Sequence, residues 1–327
     1  EGKKISITTS IGIALAPDHA DDVATLLKSA DTAMYHAKKR GKDAFLLYDR
    51  EMDAANIEKL RLERDLRDAV GHQGLKLVYQ PQIDIYTGTV TGAEALLRWE
   101  HPSLGLISPA KFVPLAEELG LISEIGEWSL TLIGRQLKKI AARSTKPFNI
   151  SINVSQAQFN ERLIEYLKDM VKNDLIPIER LTLELTENIL LQNNETNLGL
   201  VHSLKSIGVG LSIDDFGTGF SSLSYLIQLP LDQLKIDRSF VLNLFNQSNS
   251  ENIISAIIAM TGSLDLELTC EGVETTRQCE FLGSKGARII QGYLFSEPIN
   301  EDKLIQTLKP GMYMPQVEQL KLNSDMS

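Results

Sequence analysis

From residue 75 onward the chain repeats one pattern eight times. A short apolar run ends at a polar or charged residue, and an amphipathic helical stretch follows. The runs are 75–81, 90–99, 148–154, 181–185, 210–215, 231–236, 264–270 and 287–292. Eight such units in about 240 residues predict a (β/α)8 TIM-type barrel. An open doubly wound sheet is the competing α/β fold. It is disfavoured because no glycine-rich dinucleotide fingerprint follows any of the runs.

A barrel of this kind gathers the carboxyl ends of its strands into one mouth. The residues placed there are Glu94, Asn153, Glu184, Asp214 with Asp215, Lys235, Glu271 and Gln291. Each has a plainer reading on its own: a surface acid for Glu94, amides satisfying buried backbone for Asn153 and Gln291, a snorkelling side chain for Lys235. Seven successive strands ending this way point jointly to a site for metal or phosphate. The adjacent acids Asp214 and Asp215 repel each other at a buried strand end and call for a cation. A metal pair bridged by one carboxylate supplies it. The candidate ligands are carboxylates and an amide, hard oxygen donors that favour Mg²⁺ or Mn²⁺ over zinc. Two such ions can hold a phosphodiester and activate a water between them. No histidine stands in a paired ligand spacing, no Cys-x-x-Cys occurs, and no Ser-His-Asp arrangement is present; His101, beside Pro102, reads as structural.

A net charge of −10 argues against a nucleic-acid polymer as partner. It leaves room for a small anionic substrate, because bound cations reverse the local field. Hydrophobic residues at 43% and charged residues at 23% suit a soluble chain with a sizeable core. Two cysteines, Cys270 and Cys279, imply no disulfide framework and a reducing, cytoplasmic compartment. No run is long enough to span a bilayer, so no membrane contact is expected within these residues. The chain opens at Glu1 and is expected to be a piece of a longer protein, with any anchor outside it.

Before the barrel, Ile5, Ile7, Ile11 and Ile13 alternate with small polar residues as a strand. Residues 21–40 read as a helix with Leu26, Leu27, Ala30, Ala33, Met34 and Ala37 on its apolar face, and 44–48 as a second strand. Residues 49–70 read as a charged helix with Ile57, Leu62, Leu66 and Val70 inward and Glu63 near Arg67 outward, linking stiffly to the barrel.

The segments Ile11-Gly12-Ile13-Ala14, Ala30-Asp31-Thr32-Ala33-Met34-Tyr35 and Gly41-Lys42 resemble the carboxyl-terminal end of a GGDEF (diguanylate cyclase) domain, without its signature loop. Glu94-Ala95-Leu96, followed by Arg98, resembles the defining motif of EAL domains, which cut cyclic di-GMP to linear pGpG. The likeness continues through Tyr79-Gln80-Pro81, Asn153-Val154-Ser155, Glu184-Leu185-Thr186-Glu187, Asp214-Asp215-Phe216-Gly217, Lys235-Ile236-Asp237, Glu271-Gly272-Val273-Glu274 and Gln291-Gly292-Tyr293. It implies a remnant of a GGDEF domain at 1–48, a linker helix at 49–59, an EAL domain at 60–312 and a polar tail at 313–327.

By the same resemblance, Glu94, Asn153, Glu184 and Asp214 hold a first metal, and Asp214 and Asp215 a second. Lys235 lies near the attacking water, with Glu94 and Glu271 as its catalytic companions. Arg98, Gln80, Gln291 and Asp237 are expected at the substrate, and Glu187 is expected to position the loop after the Asp pair. Two Mg²⁺ or Mn²⁺ ions are implied, with Ca²⁺ inhibitory, as is a homodimer formed through the EAL domain. The alternative is a silent cyclic di-GMP receptor, but silent members typically lose ligands that this chain keeps. Phe220 and Cys270 depart from the family's usual residues without removing a ligand; Cys270 reads as a buried small hydrophobe.

Overall fold

The computed structural model describes residues 8–39, 43–71, 74–143, 147–191, 194–217, 226, 228–246, 249–314 and 316–318. The chain divides into two compact units, residues 1–72 and 73–327.

In the first unit, β1 (Ser10–Ile13) and β2 (Ala44–Leu47) pair in parallel, joined by a helix over Val23–Lys39. A further helix runs over Arg50–Gly71. The first half of the expected opening strand lies outside the described residues. Ala33 and Ala37 are buried as expected, but Leu27 and Ile57 are exposed at 64% and 68%. Those two therefore do not belong to the inward faces on which the sequence pattern placed them. On the longer helix Leu62, Leu66 and Ala69 are buried, and Glu63 pairs with Lys59 one turn earlier at 3.6 Å.

The second unit is the barrel. Its strands are β3 (Leu75–Asp84), β4 (Thr89–His101), β6 (Asn149–Val154), β7 (Leu181–Thr186), β8 (Gly210–Phe216), β9 (Gln233–Ile236), β10 (Glu267–Cys270) and β11 (Ile289–Ile290). The ladder runs β3-β11-β10-β9-β8-β7-β6-β4, and a β3–β4 pairing closes it; β5 (Gly105–Ile107) adds a short hairpin outside the ring. All eight sequence-predicted runs are strands. One connection departs from the repeat: β3 passes to β4 by a tight turn with no helix between them, so it runs antiparallel to both its neighbours.

The barrel strands alternate in character with period two, as a pleated sheet with two different faces must. One set of residues, including Ile150, Ile152, Leu183, Leu185, Leu211, Ile213, Leu234, Ile236 and Cys270, joins the apolar core shared with the surrounding helices. The intervening set is polar and buried: Ser151, Glu184, Ser212, Asp214, Gln233, Lys235 and Thr269. The hydrophobic layer is thus between sheet and helices, while the inside of the ring is polar. The helices supply matching stripes. In Glu161–Lys172, Leu163, Ile164, Leu167 and Met170 are buried at helical spacing, and Asn160 caps the first turn by accepting from Arg162 N. Thr275 and Gln278 form a capping box on the helix Thr276–Ser284. His101 is structural: its Nδ1 accepts from the backbone of Ser103 and Leu104, both at 3.2 Å, and Trp99 packs against its ring.

The carboxyl-terminal end differs from the polar tail expected from residue 313. Tyr313 and Val317 are buried in the core, and Tyr313 N donates to Gly88 O. Gly88 has φ +59°, and any side chain there would meet the backbone of Met314 at 2.6 Å. Residues 315 and 319–327 lie outside those described.

The turn between β3 and β4 is held by Asp84, 3% exposed. Its Oδ1 accepts from Tyr86 N at 2.8 Å and Thr87 N at 3.2 Å, and its Oδ2 from Arg288 Nε at 2.8 Å. Burial opposes ionisation of Asp84, but Arg288 and these backbone donors outweigh it and hold its pKa below the ordinary value. A depressed carboxylate stabilises the fold above its unfolded pKa, and that contribution is lost as pH falls through the folded value. Asp84→Asn should cost about 1.5–3 kcal/mol in urea unfolding at neutral pH. The gap from wild type should narrow as pH falls below the usual carboxylate range, and a pH-independent gap would contradict this role.

Candidate active site

Adjacent residues of a regular strand face opposite sides, so two neighbouring acids cannot both serve one site without a break in the ladder. The break is present. Between β8 and β9, Ile213 pairs with Leu234 and Phe216 with Ile236, leaving Asp214 and Asp215 opposite Lys235 alone. Asp215 has φ +54°, a left-handed conformation that aspartate tolerates better than most residues. This bulge leaves Asp214 in contact with Lys235 and Asp215 within reach of the charges of Asp214, Asp237 and Lys235.

Lys235 is the centre of the site. Its side chain has no exposed surface, and its Nζ lies 2.7 Å from Glu184 Oε2, 3.2 Å from Glu94 Oε2 and 3.5 Å from Asp214 Oδ1, and also contacts Glu271 Oε1. Four carboxylates from β4, β7, β8 and the end of β10 therefore share one ammonium. Burial disfavours the charged lysine, but Glu184, Glu271, Glu94 and Asp214 outweigh it and raise its pKa well above an ordinary lysine's. The acids divide according to what else they meet. Burial also opposes ionisation of Glu94, yet Lys235 and donors from Gln291 and Asn153 hold its pKa below the usual value. Burial, then the Glu94 charge, pushes Glu184 well up. Burial raises Glu271 to about 8 despite Lys235. Burial, followed by Asp214 and Asp237, raises Asp215 to about 6.

The remaining expected residues fall around this centre. Asn153 Nδ2 donates to Glu94 Oε1 at 2.7 Å, and Gln291 Nε2 donates to Glu94 Oε2 at 2.5 Å and to Gln80 Oε1 at 3.2 Å. Gln80 is directly opposite Glu94 across the β3–β4 ladder. Arg98 is half-buried, donates to Leu97 O at 2.9 Å, and is lowered in pKa by burial. It lines a cleft of about 280 Å³ with Asn153, Ala95, Leu97, Ile152 and Thr186. Asp237 caps the short helix Arg238–Leu242, accepting from Ser239 N at 3.0 Å. Glu187, 3% exposed, opens the helix Glu187–Leu191 and accepts from Gly217 N at 3.4 Å through Oε2. Residues 218–225 of the loop that follows, Phe220 among them, lie outside the described residues.

Strand-end reasoning missed the polar residues one step deeper. Gln82 Nε2 donates to Gln291 Oε1 at 3.0 Å, and Gln233 Nε2 donates to Thr269 Oγ1 at 2.9 Å. Ser151 and Ser212 stand two residues before Asn153 and Asp214 on the same strand face. The period-two alternation, followed backward from each strand end, was the signal that would have found them.

The donor set fits a hard divalent cation. Among the described residues no group of three or more His, Cys, Asp or Glu side chains stands ready as a metal cage, and four of the carboxylates are engaged by Lys235. Yet Glu184 Oε1 is buried with no hydrogen-bond partner, an acceptor left for a cation. The acids at hand are all oxygen donors, the chemistry Mg²⁺ and Mn²⁺ prefer.

The EAL domain family model matches residues 63–298, and that of the diguanylate cyclase GGDEF domain matches 1–44. The chain belongs to the EAL-domain family. It is 40% identical over 306 residues to a Pseudomonas aeruginosa protein named bifunctional diguanylate cyclase/cyclic di-GMP phosphodiesterase MucR, covering 93% of this chain and 45% of that one. It is 36% identical over 300 residues to Escherichia coli cyclic di-GMP phosphodiesterase PdeR, covering 90% of this chain and 45% of that one. The chain thus spans less than half the length of these curated relatives. The MucR phosphodiesterase in complex with c-di-GMP superposes with a TM-score of 0.72 at 42% identity, over 75% of this chain and 99% of that one. The EAL enzyme Bd1971 in its cGMP-bound form gives 0.74 at 31% identity, over 89% and 77%.

In this EAL domain Lys235 is the cation that contacts all four acids, Glu94, Glu184, Asp214 and Glu271. Removing one partner of a buried ionic cluster typically costs about 3–5 kcal/mol. Lys235→Met, unfolded by urea in excess chelator, should show a loss of that size. A change below about 1 kcal/mol would mean that the acids are already neutral.

Proposed function

We propose that this EAL domain hydrolyses cyclic di-GMP to linear pGpG. The observation that carries the reading is the carboxylate ring of Glu94, Glu184, Asp214 and Glu271 around Lys235, with Asp215 admitted by the bulge. It is supported by family membership and by relatives named as phosphodiesterases of this nucleotide. The apolar-walled cleft beside the ring, with Arg98 in its lining, offers room for a base and a cation for phosphate.

EAL phosphodiesterases are generally dependent on divalent metal. Here Glu94, Asn153, Glu184 and Asp214 would hold one ion and Asp214 with Asp215 another; when bound, the pair lowers the pKa of water and stabilises the leaving oxygen. In the hydrolysis the water oxygen joins phosphorus, one P–O3′ bond breaks, and the 3′ oxygen leaves as a hydroxyl. The surrounding carboxylates favour the charged form of Lys235, which suits it to donate an N–H to the reacting oxygens. Gln291 and Asn153 fix the Glu94 carboxylate from two sides. Arg98 presents a planar fork to a substrate phosphate.

With Mg²⁺ or Mn²⁺ the purified chain should convert cyclic di-GMP to pGpG, resolved by chromatography, and chelator should stop it. Ca²⁺ should bind but support little turnover, since its longer, looser coordination places the water poorly. Asp214→Asn should abolish the metal-dependent rate. Vigorous turnover in Ca²⁺ or in excess chelator would contradict the two-metal reading.

Glu187 acts at a distance from the reacting atoms, through the loop that Asp214 and Asp215 begin. A hydrogen bond to a charged acceptor is worth about 1.5–3 kcal/mol, enough to shift a loop population about tenfold to a hundredfold. Glu187→Ala should stay folded, lose most turnover and need more Mg²⁺ for half-maximal rate. Wild-type kcat and metal affinity in that variant would leave Glu187 as an ordinary helix-start acid.

A further inference from the structure

The end of the barrel opposite the carboxylate ring has a cavity of its own, about 240 Å³ in volume, among the amino ends of the parallel strands. Gln82, Asn149, Ser151, Thr182 and Gln233 line it, and its charged residues are Glu179, Asp232, Glu267 and Lys205. Two features set it apart from an ordinary polar crevice.

The first is unspent acceptor capacity. Ser151 is 3% exposed and its Oγ has no hydrogen-bond partner, and Asn149 Oδ1 is likewise buried without one. Buried polar atoms in native proteins are nearly always paired; the Asn149 amide oxygen calls for a donor, and the Ser151 hydroxyl can accept from the same one. The second is charge. Asp232 is already satisfied: both its oxygens take Lys205 Nζ at 2.7 Å, and Oδ2 takes Leu211 N at 2.7 Å. Glu179 and Glu267 have no ion pair with a described residue, and Arg288, whose field reaches Glu267, is committed to Asp84 through both Nε and Nη2. With Lys205 paired to Asp232, the charge balance of the lining is left negative by Glu179 and Glu267, both exposed carboxylates.

We propose that this basal cavity binds a small alkylammonium cation, such as a short diamine. The ammonium N–H groups meet Asn149 Oδ1 and Ser151 Oγ, and the charge is balanced by Glu179 and Glu267. The site is connected to the catalytic ring. Gln82, in the cavity wall, donates to Gln291 at 3.0 Å, and Gln291 donates to Glu94 at 2.5 Å. An occupant that repositions Gln82 reaches Glu94 through two hydrogen bonds.

The test is a calorimetric titration of chelator-treated protein with putrescine, run against NaCl and MgCl₂ at matched ionic strength. The expected result is saturable binding of one diamine per chain, weakened at least tenfold by Glu267→Gln and by Ser151→Val, and unchanged by Asp214→Asn. Glu267 is exposed at the start of its strand, so Glu267→Gln carries the test if Ser151→Val fails to fold. Heat that does not saturate, or that NaCl reproduces, overturns the site. So does stoichiometric displacement by Mg²⁺, which would make the cavity a metal site, and so does binding lost in Asp214→Asn but kept in Glu267→Gln. Side-chain amide NMR signals of Gln82 and Gln291 should move together during the titration; a Gln291 signal that stays put overturns the connection to Glu94.

Discussion

Everything at the mouth of this barrel depends on one buried ammonium held among four carboxylates. Lys235 has no exposed surface, and neither do the oxygens of Glu184 that face it. Desolvating any one of these groups alone is prohibitive, so each is tolerable only because the others are present. The surplus negative charge left after Lys235 is counted shows in Glu184 and Glu271, both pushed above the usual carboxylate range by burial and by their neighbours. Further positive charge would offset what Lys235 leaves uncompensated. The same arrangement that makes the acids costly to bury makes them effective toward cations.

The ring exists because the barrel's interior is polar throughout. Strands that alternate isoleucine and leucine outward with serine, threonine, glutamine and acids inward put the hydrophobic layer under the helices and leave the lumen for hydrogen bonds. Reversing β3 is part of this design, since it sets Gln80 beside Glu94 and Gln82 one layer below. The amide chain Gln82–Gln291–Glu94 then runs along the inside of the barrel from its base to its mouth. The bulge at Asp214 and Asp215 is the other local exception, and it is the one that lets adjacent acids share a site.

Much of this was legible in the sequence. Eight strands could be read because branched aliphatic residues recur with period two and stop at turn residues, and the strand-end reading found Glu94, Glu184, Asp214, Lys235, Glu271 and Gln291, all of which the structure brings together. The direction of β3 lay only in the shortness of the connection at 85–88, too brief for the crossover a parallel pair needs, and the repeat pattern passed over it. The left-handed turn at Asp215 was silent, since aspartate is compatible with that conformation without announcing it. Leu27 and Ile57 were assigned inward on helical spacing alone, and spacing does not say which flank of an apolar stripe finds a partner. Val317 illustrates the reverse: an apolar residue in a largely polar segment, buried by the long-range packing of the chain's end.

The central claim is that the carboxylates now drawn onto Lys235 are the seats of two divalent ions. Anomalous diffraction from crystals grown with Mn²⁺ and cyclic di-GMP tests it most directly. Two manganese peaks are expected, both within bonding distance of Asp214, one completed by Glu94, Asn153 and Glu184 and the other by Asp215. A map with no peak at Asp214, in which Lys235 still holds the four acids while the nucleotide lies bound, would contradict the account.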